Sequence, residues 1–336
     1  VRTVRYDAHD AHDAHDAHDA HDEPGGRGGG TMTETTDVAL VLGESLVDVV
    51  RRGPETRSHP GGSAANVAVA LARLDRPTWF ATAFADDEDG RLVADHLSAS
   101  GVRLATDPGA IERTSRAVAT VCEGGGATYD FDLEWRLHEL ALPDSARVLV
   151  AHAGSIGAAL APGAEQVYGH LALARSTATI SFDVNARTSI TGTGPEVTAQ
   201  AEQMVGVSDV VKASDEDIAE LWPGRTLEQA ARDLLALGPQ VVVVTRGGDG
   251  ALWWSADASG EVAPVRTRVA DTIGAGDTFS AGMLDALWER GLLGAERRTA
   301  LSTAPWDEIL AWAARAAAVT VSRPGADPPR RAELSA

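Results

Sequence analysis

From Asp37 onward the chain alternates β-branched apolar runs with alanine- and leucine-rich segments, and this alternation constrains its fold more than any other feature. Residues 37–43, 78–84, 147–153, 179–184, 209–214 and 241–247 read as strands. Residues 64–74, 89–100, 226–238, 279–291 and 307–323 read as helices. Strands that are apolar on both faces need cover on both, and the intervening helices supply it. The expected class is therefore α/β, a mostly parallel central sheet flanked by helices. A second pattern interrupts the first. Residues 115–135 alternate in strand fashion around three glycines, and 45–52 offers another strand. Together they predict a small antiparallel β lid, drawn from about 45–52 and 114–135, projecting over the strand ends.

The 336 residues allow one large α/β domain or two smaller ones, and the 44% hydrophobic content suffices for a core. No apolar run approaches the ~20 residues that span a bilayer, and the first 30 residues lack the apolar segment of a secretory signal, so a cytoplasmic location is expected. A single cysteine, Cys122, excludes an intramolecular disulfide framework and cysteine-rich zinc modules; within its alternating run it reads as a small buried hydrophobe. The net charge of −20 disfavours nucleic acid and anionic membrane surfaces as partners. Lys212 is the sole lysine.

The amino-terminal 36 residues differ from the rest. Five Ala-His-Asp triplets (8–22) and a glycine-rich stretch (25–30) present no apolar face, so a disordered tail is expected. The tract holds five of the ten histidines, which invites a metal-binding reading. A three-residue period does not stack on one face of a helix, however, and a solvated extension ahead of Met32 is the preferred reading. The tail to residue 31 carries three arginines against seven acids, a net of −4, leaving −16 on the body. The expected division is a tail over 1–36, one domain over 37–328 and a carboxy-terminal tail over 329–336.

Two segments carry chemistry. In DTIGAGDTFSAGM (271–283), Gly274, Ala275 and Gly276 lead directly into a helix, so their backbone N–H groups can approach an anion at the positive end of the helix dipole. Asp277 sits at the helix start, where a carboxylate can cap the helix or act on a ligand. In PGGSAANVAVALARL (60–74), Gly61 and Gly62 expose backbone N–H groups. Ser63 can cap the helix, and Asn66 offers a donor and an acceptor for sugar hydroxyls.

The pair GGSAAN near one end and DTIGAGD near the other resembles the two signatures of the ribokinase-like (PfkB) family of carbohydrate kinases, over essentially all of residues 37–328. Weaker motifs follow in the family's order. GESLVD (43–48) resembles the first-strand motif and implies that Asp48 binds sugar hydroxyls with Gly61, Gly62 and Asn66. ADDEDG (85–90) is similar to GxDxxG, with Ala85 in place of the first glycine. FDVNAR (182–187) resembles the fructokinase-like DxNxR and implies that Arg187 reaches substrate and phosphate. TRGGDG (245–250) is similar to the nucleotide loop, implying contacts from Thr245, Gly247 and Gly250, and SRPGA (322–326) resembles the turn over adenine, implying Gly325. Thr272 belongs with the nucleotide set. The NxxE motif that organises water around magnesium aligns with Ser214–Asp217, where Asp217 is one methylene shorter than the usual glutamate.

The resemblance implies ATP-dependent phosphorylation of a primary sugar hydroxyl, with ATP and Mg²⁺ as cofactors. Asp277 would be the base, and the N–H groups of Gly274, Ala275 and Gly276 the anion hole. Lys212 is either a phosphate neighbour or a salt-bridged residue. Fructose, yielding fructose 6-phosphate, is the expected substrate; ribose, 2-keto-3-deoxygluconate, a nucleoside or a non-catalytic sensor are the alternatives. No GxGxxG follows the first strand, which disfavours a dinucleotide-binding dehydrogenase. Tyr129, Phe131 and Arg136 line the sugar pocket or serve as lid packing and solvated charge. His152 is expected to pack near the pocket without a catalytic part, and the adjacent Trp253 and Trp254 to face opposite sides of a strand. A homodimer through the lid strands is the expected assembly.

Overall fold

The computed structural model describes residues 35–121 and 127–334; the Ala-His-Asp tract and Cys122 lie outside them. In chain order the strands are β1 (Thr36–Leu42), β2 (Leu46–Arg52), β3 (Glu55–Gly61), β4 (Thr78–Ala81), β5 (Arg103–Leu104), β6 (Arg116–Val121) and β7 (Ala127–Asp132). They continue with β8 (Ala146–Gly154), β9 (Thr179–Asp183), β10 (Val210–Ser214), β11 (Val241–Thr245), β12 (Ala251–Ser255) and β13 (Ser259–Val262). The helices are α1 (Ser63–Arg73), α2 (Glu88–Ala99), α3 (Gly163–Ala174), α4 (Thr188–Thr191), α5 (Pro195–Val207), α6 (Asp215–Leu221), α7 (Leu227–Leu235), α8 (Ala275–Glu289), α9 (Trp306–Val321) and α10 (Arg331–Leu334).

All six apolar runs read from the sequence form strands of one nine-stranded sheet, ordered β13-β12-β11-β10-β9-β8-β1-β4-β5. The seven strands from β11 to β5 pair in parallel, and β12 and β13 add an antiparallel edge. Each face has its own apolar core. Val67 and Leu71 of α1, Val93 of α2, Leu284 of α8 and Leu310 of α9 cover one; Val167 of α3, Met204 of α5, Ile218 of α6 and Leu234 of α7 cover the other. Trp253 and Trp254 divide between these two cores, as strand alternation requires. His152 is buried in β8, with Nδ1 3.0 Å from Ser181 Oγ on β9.

A separate four-stranded sheet, ordered β3-β2-β6-β7, forms the lid. It consists of two antiparallel hairpins, β2–β3 and β6–β7, joined by a parallel seam between β2 and β6. The sequence pattern anticipated β2, β6 and β7 but not β3, whose ETRSHPG is charged and contains Pro60. An edge strand tolerates both, because one side of it makes no ladder bonds.

The segment from 329 onward, expected as a tail, is packed as far as residue 334. Leu334 is buried against Leu74 and Ala316, and Arg315 Nη2 donates to the Leu334 carbonyl at 2.6 Å. Among the described residues no helix is long and apolar enough to cross a membrane.

Candidate active site

Several of the residues singled out from the sequence follow the carboxyl ends of parallel strands, where open α/β sheets leave a crevice: Arg187 lies after β9, Asp217 after β10, and Gly247 and Gly250 after β11. Two helices build its centre. Helix α8 begins after Gly274, whose φ of 74° is left-handed; a Cβ there would also stand 2.7 Å from Ala326 Cβ. This fixes the turn that brings Asp277 into the first helical turn, buried. Asp277 does not cap its own helix. Its Oδ1 accepts from Ser63 Oγ at 2.7 Å and its Oδ2 from Asn66 Nδ2 at 2.8 Å, both on α1, while Asn185 Nδ2 donates to Ser63 Oγ at 2.9 Å and stands 3.4 Å from Asp277 Oδ1. Ser63, expected as a helix cap, is the first helical residue instead; its hydroxyl serves Asp277, and Gly62 occupies the cap position without a side-chain bond.

Electrostatically, Asp277 is balanced. Burial pushes its carboxyl up, the donors Ser63 and Asn66 pull it down, Asp183 pushes it up and Lys212 pulls it down; the net lies above the ordinary value. The result is a carboxylate with raised basicity whose geometry is set by neutral donors.

The glycine cradle is present with one difference. The Ala275 N–H already donates to the Thr272 carbonyl at 3.2 Å, which leaves the remaining first-turn N–H groups as the donors for an anion. Asp271 braces the same turn: its Oδ1 accepts from Ile273 N–H and its Oδ2 from Gly325 N–H, 3.0 and 2.9 Å. Gly325 is thereby tied to the entry of α8. Thr245 ends β11, and Gly247 and Gly250, with φ of 50° and 86°, shape the exposed loop after it.

Asp48 on β2 is half-buried. Burial pushes its carboxyl up while His59 and Arg187 pull it down, and the net is raised. That Arg187 is felt at Asp48 brings the lid and the loop after β9 to one place. Gly61, opposite Leu46 in the hairpin, allows this packing, since a Cβ there would stand 2.2 Å from Asp48 Oδ2. Register puts Asp48, Ala117 and Phe131 in one row across the lid and Val50, Ala119 and Tyr129 in the next, so Tyr129 and Phe131 share Asp48's face. Their rings stack at 6.3 Å. Arg136 takes the solvated alternative, paired with Glu134 at 3.2 Å.

Lys212 takes the salt-bridged alternative. Its Nζ donates to both oxygens of Asp183, at 3.0 and 2.8 Å, and Ser280 Oγ donates to Asp183 Oδ2 at 3.0 Å. Burial alone would lower the lysine, but Asp183 overrides it and holds the ammonium above its usual value. The ammonium lies buried beside the cradle, 3.2 Å from where a Cβ on Gly276 would be.

Asp217, expected to act on a metal through water, closes a capping box at the start of α6. Its Oδ2 accepts from Ser214 N–H at 2.7 Å and its Oδ1 from Ala186 N–H at 2.8 Å, while Ser214 Oγ accepts from Asp217 N–H. Both oxygens are engaged by backbone. Among the described residues no group of three or more histidine, cysteine or acidic side chains could hold a metal ion, so those residues do not fit a metal cage made of side chains alone. A groove of about 460 Å³, lined by Glu289, Arg290, Trp312 and Arg315, lies at the opposite end of α8 from Asp277.

Sequence reasoning gave no role to Asn185 and Glu44 as neighbours of the base, although both lie inside quoted motifs, Asn185 in FDVNAR and Glu44 in GESLVD; their nearness to Asp277 is set by the fold. Ser63 and Asp277 are 214 residues apart in sequence.

The sequence matches the pfkB family carbohydrate kinases over residues 32–332. A fructokinase of Rhizobium leguminosarum bv. trifolii is 35% identical over 270 residues, covering 76% of this chain and 81% of the relative. Among solved structures, fructokinase from Xylella fastidiosa with bound ATP superposes with a TM-score of 0.73 at 25% identity, covering 89% of this chain and 97% of that one. Fructokinase from Vibrio cholerae O395, in a form with fructose, ADP and calcium bound, gives 0.74 at 26% identity, covering 90% and 98%. The match over residues 32–332 takes in the lid, the whole main sheet, α1 and α8: the chain belongs to the pfkB family of carbohydrate kinases.

Proposed function

We propose that the protein transfers the γ-phosphoryl group of ATP to a primary hydroxyl of a sugar, fructose becoming fructose 6-phosphate. The observation that carries this reading is the buried Asp277 carboxylate at the glycine-led start of α8, aimed by Ser63 and Asn66. A raised, buried carboxylate is suited to take the hydroxyl proton as the oxygen attacks phosphorus. The first-turn N–H groups of α8 face the side where charge develops on the transferring group, and they need no reorganisation during reaction. Asp48, Gly61, Gly62 and Asn66 hold the sugar, with Arg187 beside Asp48; Thr245, Gly247, Gly250, Thr272 and Gly325 border the nucleotide. Mg²⁺ would be held by the phosphate oxygens of ATP and its own waters, and would neutralise phosphate charge there. Fructose is favoured by the fructokinases among the relatives and by the DxNxR-like Asp183–Arg187 segment. The assembly we propose is a homodimer in which the lid's exposed row, Val50 and Tyr129, meets a second copy.

The test is ADP release from ATP and Mg²⁺ with fructose, ribose and 2-keto-3-deoxygluconate in parallel. Fructose should give the highest kcat/KM, and Asp277→Asn should lower kcat by ~10² or more at unchanged thermal stability. A higher kcat/KM for another sugar would move the substrate assignment. Near-normal turnover by Asp277→Asn would remove it as the base.

A further inference from the structure

Glu44 is a carboxyl group that the mechanism above does not use, yet it is only 4% exposed and lies beside the catalytic elements. It lies two residues past the end of β1. Its Oε1 accepts from the Ser63 N–H at 2.9 Å and its Oε2 from the Gly157 N–H at 2.7 Å. Ser63 is the first residue of α1, and the cap position before it, Gly62, contributes no side-chain bond, so Glu44 supplies from another element the acceptor that this helix start lacks. The surroundings are built around it. Gly62 has φ of 102° and a Cβ there would stand 2.7 Å from the Glu44 carbonyl oxygen; a Cβ on Gly157 would stand 2.8 Å from Glu44 Oε2.

What Glu44 holds is the residue that aims the base. The Ser63 hydroxyl donates to Asp277 Oδ1, and Asn66, still in the first turn of α1, donates to Oδ2. A small displacement or rotation of this turn would misdirect both donors together. We infer that Glu44 is a positioning residue for phosphoryl transfer: by gripping the Ser63 N–H and the Gly157 N–H it locks the start of α1, and through Ser63 it fixes the aim of Asp277. The inference rests on the proposed role of Asp277. Burial and, to a lesser degree, the charge of Asp277 push the Glu44 carboxyl up, the Gly157 and Ser63 N–H groups pull it down, and the net is a value of about 7, so near neutral pH the group is held at a cost that packing alone would not require.

A double-mutant cycle in kcat tests it, using Glu44→Gln, Ser63→Ala and the pair, assayed well below each variant's melting temperature. Glutamine has one acceptor oxygen where the carboxylate has two, so it cannot satisfy both N–H groups. Glu44→Gln should lower kcat ~10-fold while KM for sugar and ATP stays within ~3-fold, and Ser63→Ala should lower kcat to a similar degree. Because both act on one path, the double variant should fall by no more than ~30-fold, against ~100-fold for independent effects. If Glu44→Gln does not fold, the same cycle is run with Glu44→Asp, which keeps the charge but is too short to reach both N–H groups. Additive effects, an unchanged kcat with a lowered melting temperature, or a change confined to KM would each overturn the role. A wild type that turns over no sugar would instead overturn the kinase reading, and this inference with it.

Discussion

Asp277 and Glu44 are buried carboxyl groups in one small volume, each raised by desolvation, but they are stabilised by different partners. Asp277 takes side-chain donors, whereas Glu44 takes two backbone N–H groups. Glu44's charge state can be read in stability. Unfolded, it titrates at the ordinary 4.5, and folded at about 7. Between these values the folded protein keeps a proton that the unfolded chain has lost, so the contribution is full below pH 4.5 and is lost as pH rises through 7, roughly 3 kcal/mol in all. His152 runs the other way. Burial and then Lys212 lower it from 6.5 to about 3, so its contribution is full above pH 6.5 and is lost as pH falls toward 3. From 4.5 to 6.5 the two slopes oppose, one proton each. Relative to wild type, Glu44→Gln should therefore gain ~3 kcal/mol between pH 4.5 and 7.5 in urea unfolding. A pH-independent difference would mean that Glu44 titrates normally. At this scale the sequence showed Asp277 and its glycines, because a helix start is a local pattern. It could not show that Ser63 serves Asp277 instead of its own helix, since that depends on which helix packs beside it.

The elements divide along the same physical line. Strands buried on both faces announce themselves by apolar runs, and all six so read were found in the main sheet. The lid hairpin β2–β3 is half hidden: β2 carries Val47 and Val49 into the core, but β3 is exposed along most of its length and its pairing is carried by backbone, which leaves no periodic mark. Register also separates the lid's two faces. Val49 and Val118 lie in one row facing the core; Val50, Ala119 and Tyr129 lie in another on the opposite face, the one that also carries Asp48, with Val50 38% and Tyr129 66% exposed. An exposed valine and tyrosine in one transverse row form a surface that a second lid can cover. Sedimentation should give a dimer for the wild type and a monomer for the Val50→Glu, Tyr129→Glu double variant, with circular dichroism unchanged. A wild-type monomer, or a dimer that survives both changes, would place no contact on the lid.

Across the whole molecule, the two helices that carry the site are tied together by the end of the chain. Arg73 of α1 donates to Asp327 Oδ1 at 2.5 Å and to the Pro328 carbonyl at 2.9 Å. Arg331 donates to the Leu74 carbonyl at 2.9 Å and also pairs with the fully buried Asp285 of α8, which accepts from Arg76 at 2.6 Å and from Trp312 at 2.9 Å. Arg323 pairs with Asp327 and Glu333, and Ala326 packs on Gly274. The strap thus runs from α1 across α8 to the cradle turn. Its polar, proline-containing sequence reads as a tail because its anchoring arises from pairings with residues far away in the chain, not from an apolar period. The distinction is measurable by ending the chain at Arg330. Losing the buried Leu334, worth about 1.5–3 kcal/mol, together with the Arg331 pairings should lower the melting temperature by ~5–10 °C. Glu333 also holds the Arg330 N–H and Arg323, so its loss loosens the segment that carries Gly325 and Ala326 against the cradle. KM for ATP should then rise severalfold and KM for the sugar less, since Asp48 and the lid are untouched. If melting and KM for ATP both match wild type, residues 331–336 are a tail after all, and α1 and α8 are held together by their own packing.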